Sequence, residues 1–339
     1  MLAKVRMVVT HLKIKKIFRL LVGLICGAFF IQILLFEQFN SNLTADVPNT
    51  NIEKIIFDIQ LNGSSNVIPL NEFDEKYVYR INPAKSICET FNCDSLQIIF
   101  IVKSHVLNFG QRVAIRRTWG GKTILRSKTV FIVGYLDGID HLIQLESNNY
   151  KDIVQLNLPD QYENLVYKTI YSILWLLHVD VEVEFIHFVD DDRLVNPMNI
   201  YDFAKHNIFS ADLVMIGYKL DLSKPNRNKN SKTYISPDDY QFTYYPPYII
   251  GGTILTNIKT VRILAIAVAF IKVIPIEDVY IGIVAMMANI KLKHHFRFLP
   301  YKESPSNLRN TASSPGYAST YILLRDWNLV MATDNIINK

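Results

Sequence analysis

The sequence predicts an α/β fold, and two observations carry this prediction. Continuous apolar runs at 96–102, 129–133 and 184–189 have the length and composition of strands that are buried on both faces of a parallel sheet. Segments with helical spacing at 111–119 and 168–177 lie between these runs. Strand and helix therefore alternate in the order of βαβ units.

The length and composition allow one large folded domain and a short targeting segment. The chain has 339 residues, of which half are hydrophobic and 12% are aromatic, and such a balance lets a chain bury a core. The net charge of +5 arises at the N-terminus, where Lys and Arg residues are concentrated in the first 19 positions. A nucleic-acid-binding face would spread over the domain, so we exclude nucleic acid as a partner.

An apolar run at 20–36 follows these basic residues and predicts a membrane anchor. With Ile17 and Phe18 it reaches roughly 20 residues, the length of a helix that spans a bilayer. Basic residues before the run and polar ones after it place the N-terminus in the cytosol by the positive-inside rule. The predicted segments are a cytosolic tail at 1–16, a transmembrane anchor at 17–36, a luminal stem at 37–90 and a folded domain at 91–339.

A cleaved signal peptide is the alternative for this N-terminus, since signal peptides share a basic start and an apolar middle. Residues 36–39 lack the small side chains of a cleavage site. Under either interpretation the domain is luminal or secreted, where the sequons at Asn42 and Asn62 are accessible to glycosylation. Cys88 and Cys93 are close enough in sequence to form a local disulfide there.

Three consecutive acids, Asp190, Asp191 and Asp192, follow the third predicted strand. Ligand sites in open α/β sheets lie at the carboxyl ends of strands. Carboxylates spaced as Asp-x-Asp can hold Mn²⁺ or Mg²⁺, which can in turn bridge diphosphate oxygens. Asp190 and Asp192 are therefore our candidate metal ligands, and a solvated acidic turn is the structural alternative.

A second acidic pair, Glu277 and Asp278, begins a segment with helical character that runs through Ala288. Acids at a helix start are stabilised by the macrodipole, so capping is one interpretation. A positioned carboxylate can also take the proton of an attacking hydroxyl, and Asp278 is our candidate for that base.

The loop between the two acid clusters combines tyrosines, prolines and glycines. Tyr245 and Tyr248 can stack on sugar rings and hydrogen-bond them, and Gly251 and Gly252 permit close backbone approach. A well-packed structural loop is the alternative. Earlier in the chain, the guanidinium groups of Arg112, Arg116 and Arg117 can pair with phosphates. An exposed basic helix face is the alternative for these three residues.

Taken in order, these segments resemble the beta-1,3-galactosyltransferase family, which also includes beta-1,3-N-acetylglucosaminyltransferases. The segments that carry the resemblance are 112–120, 150–154, 160–169, 190–196, 245–252 and 277–282.

The resemblance implies a GT-A-like fold, in which a Rossmann-like nucleotide-binding half carries a mixed sheet. It also implies a UDP-sugar donor, Mn²⁺ (or Mg²⁺), a glycan acceptor, inversion at the anomeric carbon, and a type II Golgi membrane protein. The implied site consists of Asp190 and Asp192 as metal ligands, Lys103, Arg112, Arg116, Asp190 and Asp191 on the donor side, Tyr245, Tyr248, Gly251 and Gly252 on the acceptor side, and Glu277 and Asp278 in the catalytic motif.

Several positions depart from the family pattern. Phe188 stands where the family usually has Lys, which removes a charge from the donor site and motivates an alternative: a silent relative that binds glycans or partners without catalysis. Ile249 and Ile283 stand in segments where the family often has cysteines, a difference that fits the loss of one disulfide. His294 and His295 are the candidates for a late histidine ligand, with a surface position as the alternative.

Overall fold

The computed structural model describes residues 23, 27, 28, 30–34, 51–74, 78–85, 95–121, 125–179, 182–304 and 307–337. The chain divides into two units, Met1–Thr50 and Asn51–Lys339. In the first unit the described residues are helical and exposed. Among all described residues, no helix combines the length and the apolar composition that a membrane span requires.

Much of the predicted N-terminal organisation lies outside the described residues. The cytosolic tail at 1–16 and most of the anchor at 17–36 belong to this part of the chain, as do Asn42, Cys88 and Cys93. These predictions therefore stay predictions.

The second unit alternates strands and helices, as the sequence predicts. Its described α-helices are α1 (Ile52–Asn62), α2 (Phe109–Arg117), α3 (Asp140–Tyr150), α4 (Leu165–Trp175), α5 (Pro197–Asn207), α6 (Ile258–Ala267), α7 (Glu277–Met287) and α8 (Thr320–Ile337). Its described strands are β1 (Tyr79–Ile81), β2 (Ser95–Lys103), β3 (Ser127–Tyr135), β4 (Ile153–Pro159), β5 (Glu182–Asp190), β6 (Leu194–Val195), β7 (Val214–Gly217), β8 (Lys219–Leu220), β9 (Tyr248–Ile249), β10 (Thr253–Asn257), β11 (Lys291–His294) and β12 (Ser313–Ser314).

The main sheet is mixed and has two parts. Its strand order is β1-β4-β3-β2-β5-β10-β7-β11. Strands β4, β3, β2 and β5 run parallel, whereas β10 runs antiparallel to both β5 and β7, and β11 is parallel to β7. The predicted α/β class and mixed sheet are thus confirmed, with a parallel half joined to a mixed half as the GT-A expectation requires.

The parallel half contains the most buried part of the core. Residues 98–102 of β2 and 130–133 of β3 have no exposed surface, because helices cover both faces of the sheet. Strand β2 pairs with β5 so that Lys103 lies opposite Asp190. The carboxyl ends of these two central strands therefore meet at one edge of the sheet, where a ligand site is expected.

Part of the predicted stem at 37–90 packs against the domain. Helix α1 buries Ile52, Ile55 and Ile56 on one face, and the Asn71 side chain donates hydrogen bonds to two main-chain carbonyls at the end of α6 and beyond it. Strand β1 pairs with β4 and forms one edge of the main sheet. The exposed face of α1 also carries apolar residues, Phe57 and Leu61, so its sequence lacks a clear division into apolar and polar faces and was not distinguished from a stem.

Candidate active site

The acid triplet stands at the carboxyl end of β5, and its side chains diverge. Asp191 is buried and accepts hydrogen bonds from Ser104 Oγ at 2.6 Å and Asn108 Nδ2 at 2.9 Å. Asp190, by contrast, has a side chain that is 38% exposed. Burial raises the pKa of Asp191, while Ser104 and Asn108 oppose that rise. Asp191 therefore holds the turn in place, and Asp190 remains accessible to a ligand.

Lys103 connects the acid triplet to the acidic pair that begins α7. Its Nζ lies 3.2 Å from Asp190 Oδ1 and 2.7 Å from Glu277 Oε1, and it also donates to the Gly251 carbonyl at 3.1 Å. Burial acts to lower the pKa of Lys103, but the charges of Asp190 and Glu277 outweigh it and raise that pKa above its ordinary value. This ammonium group is thus a fixed positive charge between the two acid clusters.

The two acids that begin α7 have different surroundings. Glu277 is buried and accepts hydrogen bonds from Lys103 and, at 2.5 Å, from Thr169 Oγ1. Asp278 is partly exposed, and burial raises its pKa although the backbone amides of Gly251 and Val279 act to lower it. Of the two candidate catalytic residues, Asp278 is therefore the more accessible to solvent, while Glu277 is held by Lys103 and Thr169.

Gly251 and Gly252 are the point at which both acid clusters approach the backbone. A Cβ on Gly251 would lie 2.8 Å from Glu277 Oε2, and one on Gly252 would lie 2.7 Å from Arg193 Nε and 3.0 Å from Asp190 Oδ2. The Gly252 carbonyl also accepts a hydrogen bond from the Asp190 amide at 3.1 Å. A side chain at either position would separate the two clusters.

The loop at 244–252, here called the tyrosine loop, packs on helix α7. Tyr245 and Tyr248 are mostly buried, and their ring centroids are 6.2 Å apart. A Cβ on Gly282 of α7 would lie 2.4 Å from Tyr248 Cβ, so this glycine lets the loop approach the helix. Tyr244 is 44% exposed. The packed-loop interpretation therefore describes Tyr245 and Tyr248 in this structure, and Tyr244 is the ring of this loop that a ligand can reach.

Arg112 and Arg116 are buried in an ion-pair network behind the site. All three guanidinium nitrogens of Arg112 donate to protein acceptors, and its Nη2 lies 2.7 Å from Glu146 Oε2. Arg116 pairs with Glu146 and Asp152 at 2.7 and 2.8 Å. The guanidinium groups of both arginines contact protein carboxylates, so these two residues neither form an exposed basic helix face nor leave their charges free for a phosphate. Arg112 instead reaches the triplet indirectly, because its Nη1 donates to Ser104, which holds Asp191.

Arg193 is a site residue to which the sequence analysis gave no role. It is only 4% exposed, and its Nη1 donates to the Leu299 carbonyl at 3.0 Å. Its Nε, buried against Gly252, has no hydrogen-bond partner among the described residues. Burial lowers the pKa of Arg193, and the nearby charges of Asp190 and Asp192 oppose that change. A second buried positive charge thus lies beside the triplet, which the sequence signalled only as the Arg that follows the acids.

The remaining carboxylates fit a divalent ion that takes most of its ligands from a substrate. Asp190 and Asp192 are close enough for the charge of Asp190 to raise the pKa of Asp192, although burial is the larger cause. Two carboxylates with phosphate oxygens and waters suffice for Mg²⁺. Within the described part of the chain no group of three His, Cys, Asp or Glu side chains could form a complete cage, and this includes His294 and His295.

Phe188 lies inside the sheet rather than in the site. It is 4% exposed and pairs with Ile101 of β2 and Ile254 of β10. The positive charge next to Asp190 comes instead from Lys103 on the neighbouring strand. Although position 188 lacks the lysine that is usual in the family, the triplet therefore still has a cationic neighbour, Lys103.

A family profile and several known proteins are similar to this chain. The sequence profile described as Galactosyltransferase matches residues 110–295. Beta-1,3-galactosyltransferase brn of Drosophila melanogaster is 32% identical over 240 residues, which cover 68% of this chain and 74% of that protein. Beta-1,3-galactosyltransferase bre-5 of Caenorhabditis elegans is 32% identical over 209 residues, which cover 60% of this chain and 64% of that protein.

Two further similarities complete the comparison. N-acetyllactosaminide beta-1,3-N-acetylglucosaminyltransferase 4 of Mus musculus is 27% identical over 267 residues, covering 75% of this chain and 73% of that protein. Among solved structures, that of galactosyltransferase LgtC with donor and acceptor sugar analogues aligns with a TM-score of 0.36 and 11% identity, over 70% of this chain and 96% of that chain.

The structure adds contacts from beyond the matched residues. The Tyr317 amide donates a hydrogen bond to the Asp192 carbonyl at 2.8 Å, and Gln111 donates to the Tyr317 carbonyl. Strand β12 pairs with β6, directly after the triplet. The C-terminal segment therefore supports the acid triplet, a contact that the spacing of the motifs did not indicate.

Proposed function

The chain belongs to the galactosyltransferase family, and from this premise we propose that it transfers one sugar from a UDP-sugar to a glycan hydroxyl, in beta-1,3 linkage and with inversion. The named activities of its relatives support the linkage. UDP-galactose is the proposed donor, ahead of UDP-N-acetylglucosamine and UDP-N-acetylgalactosamine. The acceptor is a glycan on a protein or a lipid.

One observation carries the proposal: the two acid clusters meet across Gly251 and Gly252. Asp190 and Arg193 approach Gly252 from one side, and Glu277 and Asp278 approach Gly251 from the other. A transferase needs such a pair of subsites, one for the charged leaving group and one for the proton of the attacking hydroxyl.

On the donor side, Asp190 and Asp192 would hold Mn²⁺ or Mg²⁺. When bound, such an ion neutralises the negative charge that develops on the departing diphosphate. Lys103 fixes the orientation of the Asp190 carboxylate through the contact at 3.2 Å. Arg193 adds a second positive charge behind Asp190 and Asp192.

On the acceptor side, Asp278 takes the proton of the hydroxyl that attacks the anomeric carbon. Its raised pKa brings it closer to the operating pH, which suits a general base. Inversion follows from a single displacement in which the hydroxyl attacks the face opposite the UDP.

The test is UDP release by the full-length chain, purified in a mild detergent, with each of the three UDP-sugars, a panel of glycoside acceptors, and Mn²⁺ or EDTA. We expect metal-dependent release that Asp192→Ala abolishes. Asp278→Asn should lose transfer by about 100-fold or more while UDP still binds. UDP binding without turnover for any donor and acceptor would instead support the silent relative.

We also propose that the chain is a single-pass type II Golgi protein with a luminal domain. The support is the basic and apolar pattern of the first 36 residues, together with the exposed side chain of Asn62, which ends α1 within a sequon. Expression in a eukaryotic cell tests this topology. Asn62→Gln should remove one glycan that an endoglycosidase also removes, and an unmodified Asn62 would contradict the proposal.

A further inference from the structure

A cavity of about 330 Å³ opens beside the start of the catalytic helix. Its walls come from three separate segments: Tyr162 and Glu163 after β4, Lys229, Lys232 and Tyr234 in the long loop before β9, and Ile276 directly before α7. Its volume lies in the range of sites for small ligands.

The cavity adjoins the proposed base. Ile276 immediately precedes Glu277 and Asp278 in the chain. Tyr162 stands in the field of these acids, because their charges add to burial in raising the pKa of its hydroxyl. The cavity therefore lies next to the first residues of α7.

The loop that carries the two lysines is exposed, but hydrogen bonds within the loop hold its shape. Asn226 Nδ2 donates to Ser231 Oγ at 2.8 Å and to Thr233 Oγ1 at 3.0 Å. The Ile235 amide donates to the Asn226 carbonyl at 3.1 Å, and Arg227 Nη1 donates to the Ile235 carbonyl at 2.8 Å. Asn226 and Arg227 thus hold the turn that carries the two lysines at the cavity.

The charge of the cavity is unbalanced. Lys229 and Lys232 form no ion pair with any side chain that the structure describes, and both are exposed. Glu163 is the acid among the lining residues, set against these two ammonium groups. Tyr162 and Tyr234 supply aromatic surface of the kind that packs against sugar rings. The combination suits a sugar with a negative substituent.

We propose that this cavity is an acceptor subsite for a sugar that carries a carboxylate or a sulfate group. The sugar ring lies against Tyr162 and Tyr234, the anionic group contacts Lys229 and Lys232, and the reacting hydroxyl points to Asp278. The inference rests on the proposed function and deepens it, since it names the chemical class of the acceptor.

A binding experiment tests the subsite directly. The probes are methyl β-D-glucuronide, methyl β-D-galactoside 6-sulfate and, as the neutral probe, methyl β-D-galactoside. Their affinities for the full-length chain are measured by saturation-transfer NMR in the presence of UDP and Mn²⁺. We expect at least one anionic probe to bind about tenfold more tightly than the neutral one, since each partly exposed charge contact contributes a modest part of that factor.

A charge-matched pair of variants identifies the cause of the preference. Lys229→Gln with Lys232→Gln should abolish it, whereas Lys205→Gln with Lys291→Gln, which removes the same charge from exposed positions outside the cavity lining, should retain it. The glucuronide and sulfate arms show which anion the site accepts.

Equal affinity for neutral and anionic probes, or a preference that survives in Lys229→Gln with Lys232→Gln, would overturn the inference. Affinity for UDP, measured in the same samples, separates this outcome from failure of the proposed function. Absence of UDP binding by the wild-type chain would count against the proposed transferase activity. The proposed acceptor subsite is judged only by the preference for anionic over neutral glycosides.

Discussion

Replacement of Lys103 by Met is expected to destabilise the domain by about 3 to 5 kcal/mol. The side chains of Lys103 and Glu277 are only 3% and 8% exposed, and their charged atoms are 2.7 Å apart. Without the ammonium group, Thr169 is the one side-chain hydrogen-bond donor to Glu277 among the described residues. The contact with Asp190 adds little to this cost, because the Asp190 side chain is 38% exposed and water screens it.

The double variant Lys103→Met with Glu277→Gln should recover part of that loss. A neutral amide costs less to bury than an unpaired carboxylate, so the two substitutions should be coupled by roughly 1 to 3 kcal/mol. The sign of the coupling follows directly: the double variant is more stable than the sum of the two single losses predicts.

Denaturant unfolding of the full-length chain, followed by tryptophan fluorescence at neutral pH, measures these free energies. The matched control is Lys219→Met, because Lys219 pairs with Asp221 at the surface, with side chains 27% and 53% exposed, and its loss should cost less than about 1 kcal/mol. A destabilisation by Lys103→Met as small as that of the control, or strict additivity with Glu277→Gln, would refute the argument that this ion pair holds the site together.

Three further predictions concern the same network. Gly252→Ala places a Cβ 2.7 Å from Arg193 Nε, so UDP release should fall about 100-fold with an unchanged circular dichroism spectrum; an unaffected rate would contradict the close approach. Burial raises the pKa of Asp278, so the rate should fall with decreasing pH already above the ordinary aspartate range; a pH–rate profile without that shift would count against it as the base. Burial acts to raise the pKa of Glu146, but Arg112 and Arg116 outweigh it and lower that pKa below 4.5. Glu146→Gln should therefore cost about 3 kcal/mol of folding free energy at neutral pH. Unfolding curves should show this difference shrink as the pH falls through the lowered pKa of Glu146.

The strands and helices of the parallel half were predictable because their sequence pattern is local. The predicted strand at 96–102 became β2 (Ser95–Lys103), and that at 184–189 became β5 (Glu182–Asp190). A strand buried on both faces must be apolar throughout, so a short run of consecutive apolar residues suffices to identify it. The position of the acids at the end of β5 followed from the same run.

The division of roles within each acid cluster could not be predicted in this way. Asp190 and Asp191 are adjacent in sequence, yet Asp191 bonds Ser104 and Asn108 while Asp190 faces Lys103. Which acid of a cluster becomes buried depends on partners from other strands and loops. The supporting role of Arg112 depends on its contact with Ser104, eight residues earlier in the chain, and the chain gives no signal for that choice.

The glycines explain why motifs that are far apart in sequence act together. Gly282 of α7 admits the backbone of Tyr248, and Gly251 admits Glu277 of the same helix. The loop therefore approaches the catalytic helix at two levels, one on its first turn and one on its second. Because Gly252 meets Arg193 and Asp190 immediately afterwards, a shift of α7 would be transmitted to the acid triplet through two residues of backbone. The geometry of the proposed base and that of the proposed diphosphate site thus both depend on one short segment.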